Sequence, residues 1–222
     1  MIIPESIDKI QLTTMPRASY QGEIYVIDNE REAEKAVRYL LQQPLVGIDS
    51  ETRPSFQKGC QNKVALLQVA TNECCFLFRL NKLGFTPSIV RFLESAAPAK
   101  VGLSLRDDFF MLHKREDFKP GNCIELQEYV NRFGIKDRSL QKIYAILFRE
   151  KISKSQRLTN WDSSSLTEPQ KLYAAMDAWA CLRIYVLLEN LRRTGEYAII
   201  PVANENDKNN DSHKSISQSR EG

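Results

Sequence analysis

The chain has 222 residues, 27% charged and 42% hydrophobic, with a mean hydropathy of −0.39 and a formal net charge of +3. That length suits one globular domain able to bury a single good core. No apolar run approaches the ~18 residues of a membrane helix. The opening MIIPESIDKI, with Glu5 and Asp8, lacks the basic region and long apolar stretch of a secretory leader. Membrane-spanning and secreted classes are therefore set aside, and a cytoplasmic protein is expected.

In chain order, residues 1–21 show no clear period and read as a loosely tied N-terminal arm ahead of a domain over 22–200. Gly22–Asp28 predicts a strand. Asn29 then caps a helix whose apolar positions Ala33, Ala36, Val37, Leu40 and Leu41 follow helical spacing. Leu45–Glu51, Val64–Ala70 and Cys74–Leu80 read as successive strands of an antiparallel meander. Pro87–Ala97 predicts a helix, Lys100–Leu105 a strand, and Asp107–Lys114 a helix. Asn122–Leu126 suits a short edge strand, and shorter helices follow near Glu128–Phe133 and Ser139–Phe148. Thr167 caps a last helix with Glu168 and Pro169 in its first turn, running to Thr194 before Gly195. From about Ala203 the chain is Asn, Asp, Ser and Lys with one Ile, and reads as a disordered tail over 203–222. Strands followed by strands alternating with helices argue for an α/β fold, a mixed five- to six-stranded sheet with helices on both faces.

Five cysteines, Cys60, Cys74, Cys75, Cys123 and Cys181, have no framework spacing. Adjacent Cys74 and Cys75 point to opposite faces of a strand. With only His113 and His213 beside them, buried reduced thiols are the reading rather than zinc. Between Lys136 and Leu158, seven Lys and Arg face two acids, Asp137 and Glu150. Such a stretch is either a solvated face or a flank for phosphates.

The chemistry lies in the acids. Asp49 and Glu51 stand two apart at the end of an apolar strand, so both face one side of a sheet. Tyr173 and Asp177 stand four apart in the last helix, one turn apart on the same face, and Asp177 leans toward an apolar stripe. Asp107 and Asp108 open a helix, where the unpaired N–H groups favour negative charge. Each signal has a bland reading alone: a solvent-facing strand end, a structural acid, a helix cap. All lie where a strand ends or a helix faces a sheet, so they can converge. Clustered carboxylates repel and take up protons unless a hard cation neutralises them. An oxygen-rich, histidine-poor site suits magnesium or manganese. Two such ions, roughly 3.5–4 Å apart, activate water and stabilise the leaving oxygen in phosphodiester hydrolysis.

The segments VGIDSE (46–51), KVALLQV (63–69), KVGLSLRDD (100–108) and LTEPQKLYAAMDA (166–178) resemble the DEDD 3′–5′ exonucleases, in particular the ribonuclease D and Werner-syndrome exonuclease branch. The likeness runs from about Gly22 to Leu191, and Asn160 and Trp161 precede the last motif as in that branch. It implies a ribonuclease H-like fold and a two-metal 3′–5′ exonuclease releasing nucleoside 5′-monophosphates. By that resemblance Asp49, Glu51, Asp108 and Asp177 are the metal-binding carboxylates, with Asp49 bridging both Mg2+ or Mn2+ ions. Asp108 fits the second motif better than Asp107. Tyr173 places the chain in the tyrosine (DEDDy) subclass; the histidine subclass would have His where Leu172 stands. A phenol of pKa ~10 is a poor base at neutral pH, so Tyr173 orients a water whose acidity the cations have raised. Ser164 and Ser165 replace the Arg-Pro common before Leu-Thr in the ribonuclease D branch, and no stretch resembles that branch's C-terminal helical domains. The chain thus resembles a bare catalytic domain, nearer the Werner type.

The expected partner is single-stranded or 3′-recessed nucleic acid, DNA or RNA, with no membrane and no nucleotide cofactor. Such an enzyme needs phosphate contacts and a stacking face. Thr52, Arg53, Lys58 and Lys63 flank the first motif; Lys151, Lys154 and Arg157 precede the last. Phe110, two residues past Asp108, is a candidate wedge or stacking platform, with core packing the competing reading for it and for Phe109. Phe56 and Trp161 are weaker candidates, Trp161 more in keeping with packing beneath the last helix. The alternative to an active exonuclease is a nucleic-acid-binding module of weak or no activity on the same scaffold.

Overall fold

The computed structural model describes residues 1–55, 59 and 61–202. Phe56, Lys58, Cys60, His213 and the tail from Ala203 lie outside the described residues. The elements are β1 (Ile2–Pro4), α1 (Lys9–Thr14), β2 (Glu23–Ile27), α2 (Glu30–Leu40), β3 (Leu45–Thr52), β4 (Val64–Ala70), β5 (Cys74–Phe78) and α3 (Leu80–Leu83). They continue with α4 (Pro87–Glu94), β6 (Ala99–Gly102), α5 (Leu105–Leu112), β7 (Cys123–Glu125), α6 (Leu126–Asn131), α7 (Leu140–Phe148), α8 (Glu168–Thr194) and β8 (Ala198–Ile200).

Six strands form one mixed sheet in the order β2-β5-β4-β3-β6-β7. The meander pairs β3 with β4 and β4 with β5 antiparallel, whereas β2, β6 and β7 join parallel. Helices cover both faces, as the alternating pattern requires. One core lies between the sheet and α6, α7 and α8; the other lies beneath α2, α4 and α5. Strand alternation divides the residues between the two cores. Leu66 and Ala70 face α8 while Leu67 and Val69 face the other way, and Cys75 and Cys74 split in the same manner.

Two local devices place the functional helices. In α8 the Thr167 hydroxyl accepts from Gln170 N at 3.3 Å, and the Gln170 side chain accepts from Thr167 N at 3.0 Å. This reciprocal cap satisfies two otherwise orphaned N–H groups and fixes where a helix of 27 residues begins. Gly195, at φ 69°, ends it in the left-handed conformation that glycine adopts without cost. The start of α5 is held from a distance: the Glu125 carboxylate at the end of β7 accepts from Ser104 N at 2.9 Å and Leu105 N at 2.7 Å. The expected strand Lys100–Leu105 therefore stops at Gly102, and Leu105 is already helical.

The N-terminal arm is not loose. Ile3, Ile7 and Tyr20 are fully buried in the core beneath α8. β1 pairs parallel with β8, Lys136 N donates to Glu5 O at 2.6 Å, and Ile7 N donates to the Asp137 carboxylate at 2.8 Å. Farther along, Ala18 N donates to Lys151 O at 3.0 Å and Lys151 N to Pro16 O at 2.9 Å. A three-residue strand whose partner lies at the far end of the chain leaves no local period, which is why the segment reads as unstructured from sequence.

Candidate active site

Val46 and Ile48 point into the core under α2 and α4, so Gly47, Asp49 and Glu51 point to the α8 face. α8 lies directly on β3 there, with Ala174, Ala175, Ala178 and Ala180 all buried. Small side chains let helix and strand backbones approach, and the approach brings Asp177 over the end of β3. One carboxylate oxygen from each of Asp49, Glu51 and Asp177 falls within a 4.8 Å group. Glu51 and Asp177 are each only 8% exposed.

Asp108 arrives from the opposite side of the sheet. Ser50, between the two acids of β3, faces that side and donates its hydroxyl to Asp108 Oδ1 at 2.5 Å. Asp107, its neighbour in the first turn of α5, is exposed. The structure thus directs Asp108 rather than Asp107 toward β3, at the border of the three-acid group.

The electrostatics are those of negative groups forced together. Burial pushes the Asp49 carboxyl well above the usual range, and the charges of Asp108, Asp177 and Glu51 add to it. Glu51 is pushed up to about 9 by burial and by Asp177 and Asp108, with Arg157 pulling the other way. Burial raises Asp177 to about 7 against the opposing influence of its hydrogen bond from Tyr173 and of Lys154. It also raises Asp108 to about 7, while the Ser50 hydrogen bond opposes. The Tyr173 phenol, buried beside Asp177 and Glu51, is driven far above its ordinary value. At neutral pH it is a donor, not a base.

This donor set fits divalent metal. The convergent ligands are all oxygens, they are desolvated, and they share one small volume. Oxygens that each lie about 2.0–2.6 Å from a common hard cation span such a separation. A cation there supplies positive charge that favours the ionised form of all these acids together.

Asp49, Tyr173 and Asp177 line a cavity of about 360 Å3 together with Lys154, Arg157 and Arg138. Among the expected substrate-holding residues, Lys154 and Arg157 thus face the acids, whereas Thr52, Arg53, Lys63 and Phe110 do not line this cavity. Arg53 and Lys63 are exposed, and half-buried Thr52 ends β3 just past a register shift after Glu51. Phe110 is 63% exposed, with the Lys114 ammonium 4.7 Å from its ring centre, so the core reading fails for it. Phe109 does pack on the core against Phe118. Trp161 is fully buried with its ring 6.0 Å from that of Tyr173, a packing residue beneath α8.

Sequence reading gave no role in the site to three residues here, although it had Cys181 as the buried reduced thiol it is. Ser50 was detectable by the alternation that puts it opposite its acidic neighbours. Cys181, one turn beyond Asp177, lines the same cavity, and burial with the adjacent acids raises its thiol well above the ordinary value. Gln68 lies directly across the ladder from Asp49 and is fully buried, with neither its amide nitrogen nor its oxygen hydrogen-bonded among the described residues. Its polarity within the run VALLQVA was the available signal.

The 3′–5′ exonuclease family model matches residues 24–192. The chain belongs to that family. Among its curated relatives, the mouse bifunctional 3′–5′ exonuclease/ATP-dependent helicase WRN is 32% identical over 168 residues, 73% of this chain and 12% of the relative. A 3′–5′ exonuclease of Arabidopsis thaliana is 29% identical over 76% of this chain and 58% of its own length. The chain therefore spans from about one-eighth to just over half the length of these two relatives. Of solved structures, the Aedes aegypti Nibbler EXO domain shares the fold with a TM-score of 0.72 at 20% identity, covering 81% of this chain and 94% of that one. Trypanosoma brucei RNase D in complex with RNA U12 shares it with a TM-score of 0.65 at 18% identity, covering 80% and 63%. The fold is ribonuclease H-like, and DEDD-type exonucleases of this family use divalent metals.

Proposed function

We propose that this chain removes nucleotides one at a time from the 3′ end of DNA or RNA, hydrolysing the terminal phosphodiester bond to a nucleoside 5′-monophosphate. The observation that carries the reading is the convergence of Asp49, Glu51 and Asp177 within 4.8 Å, two of them lining a cavity flanked by cations. The RNA-bound relative of the same fold supports a nucleic-acid substrate. Asp49, Glu51, Asp177 and, from the border, Asp108 would hold two divalent cations, Mg2+ or Mn2+ by the hardness of the oxygen set. When bound, such ions polarise the phosphoryl oxygens and lower the pKa of water.

The remaining work belongs to the chain. Lys154 and Arg157 draw the terminal phosphate to the acids and offset its charge, which would otherwise be repelled. Tyr173 keeps its proton and donates to Asp177, so it orients the carboxylate and the attacking water without removing a proton itself. The rigid contact of α8 on β3 holds the acids in position before substrate arrives, the preorganisation that makes such charge arrangements effective.

The test is a 5′-labelled strand incubated with Mg2+ or Mn2+. A ladder of products shortened from the 3′ end, abolished by Asp49→Ala and by chelation, is expected. A ladder that survives Asp49→Ala would overturn the assignment.

A further inference from the structure

A second cavity, of about 510 Å3, lies against the one that holds the acids. Ser139, Gln141, Ile152, Ser153 and Lys154 line both. Its far side is made by the N-terminal segment, with Lys9, Leu12, Thr13 and Arg17 facing Lys142 and Lys151. Among the described residues, no aspartate or glutamate lines it.

The cations divide into two groups. Lys142 is paired with Asp137 at 2.7 Å, and Lys151 donates to the Thr13 carbonyl. Lys9, Arg17 and Lys154, all exposed, have no carboxylate within ion-pair distance among the described residues. The nearby acids are occupied elsewhere: Asp8 caps α1 through Gln11 N at 2.7 Å, and Asp137 also accepts from Ile7 N. The segment that carries Lys9 and Arg17 is fixed in place by its backbone bonds to Lys151. Lys9 and Arg17, without an ion-pair partner among the described residues, thus flank a hydroxyl-lined hollow that continues from the acid cavity through Lys154, whose charge also bears on Asp177.

We propose that Lys9 and Arg17 hold the backbone phosphates of a strand a few nucleotides upstream of its 3′ terminus, beyond Lys154 at the junction of the two cavities, so that the N-terminal segment forms one wall of the substrate channel. This rests on the exonuclease reading above. A polyanion suits the site because each phosphate held by Lys or Arg releases condensed counterions, and serine hydroxyls add sequence-independent contacts. Shared lining at Lys154 makes one strand able to occupy both cavities.

The experiment measures binding rather than turnover. Fluorescence anisotropy in chelator compares a labelled single strand of about 12 nucleotides with one of about 3, lengths on either side of one such site. The proteins are wild type, Lys9→Gln/Arg17→Gln, and Lys35→Gln on the distant α2 as a control. The double variant is expected to lose roughly tenfold in affinity for the long strand and to lower the log–log salt slope by about 1.4, or ~0.7 for each lost phosphate contact. Binding of the short strand, and all binding by Lys35→Gln, stays within about twofold of wild type on the same argument. The single variants show about half the slope change each and replace the double variant if it fails to fold. An unchanged slope for the long strand, or an equal loss for the short one, overturns the inference while leaving the exonuclease reading in place. A wild-type protein that neither binds nor shortens any strand removes both.

Discussion

Gly47 of β3 and Ala178 of α8 meet backbone to backbone: a β-carbon at position 47 would stand 1.9 Å from the Ala178 carbonyl oxygen. Because that oxygen belongs to backbone, the helix itself must move to admit even a methyl group. Asp177 adjoins Ala178 and Asp49 is two residues from Gly47, so the same movement separates the acids. Gly47→Ala is expected to lower exonuclease activity by about 100-fold, the typical cost of a misplacement near 1 Å. It should also destabilise the fold by about 1–3 kcal/mol, as overpacking does. Product ladders and denaturant titration check the two effects, and a variant with wild-type activity would show that this contact does not set the acid spacing.

Removing one of the crowded acids should separate function from stability. Asp49→Asn keeps the shape of the side chain and removes a buried carboxyl whose ionisation is opposed by desolvation and by Asp108, Asp177 and Glu51. Hydrolysis is expected to fall by at least about 1000-fold, the scale of losing an electrostatic stabiliser of the transition state. In chelator at pH 8 the variant should melt at a higher temperature than wild type, because functional sites hold strain that substitution relieves. A lower melting temperature in chelator would mean that Asp49 stabilises the metal-free fold.

The raised carboxyls predict how stability depends on pH. Asp108 and Asp177 sit at about 7 and Glu51 at about 9 in the folded, metal-free protein, against about 4 in an unfolded chain. Between those values the folded state binds more protons than the unfolded one. Their stabilising contribution is complete below about pH 4 and is lost as pH rises through 7 and then 9. Melting temperature in chelator should therefore fall from pH 5 to pH 9. The surface acids Glu5, Glu34 and Glu189, held low by Lys136, Arg38 and Arg192, act in the opposite direction and only at more acidic pH. Added Mg2+ or Mn2+ should flatten the decline and release protons on binding, measured calorimetrically in buffers of different ionisation enthalpy. A melting temperature constant across this range would contradict the crowding.

Tyr173 tests the distinction between donor and base. Its phenol supports the charged form of Asp177, so Tyr173→Phe should raise the Asp177 pKa and weaken metal binding near neutral pH. Turnover should fall by about 10- to 100-fold, short of the loss expected for removal of an essential general base. Wild-type turnover that climbs through pH 10 in step with phenol ionisation would reverse this assignment.

Much of this architecture is legible where its causes are local. The Thr167–Gln170 cap and Gly195 bound α8 because both signals act within one turn. Period two puts Asp49 and Glu51 on one face, and period 3.6 puts Tyr173 with Asp177. What escapes sequence reading is held from afar. The Glu125 carboxylate starts α5 two residues before its own acids suggest, and β1 exists only because β8 lies beside it. Gln68 looks like a core interruption until the ladder sets it opposite Asp49. Of the residues expected to hold substrate, Lys154 and Arg157 in the stretch before α8 line the acid cavity, whereas Lys151 lines only the cavity beside it. Arg53 and Lys63 adjoin the first motif in sequence, but the chain there leaves the sheet, and sequence proximity does not become proximity to the site.

The three oxygens that meet at the end of β3 come from two stretches separated by most of the polypeptide. A growing chain on the ribosome carries Asp49 and Glu51 early and cannot complete the pocket until α8 has emerged and docked across Gly47. Products truncated before that helix are expected to lack the three-acid group, so assembly of the pocket waits on the synthesis and docking of α8.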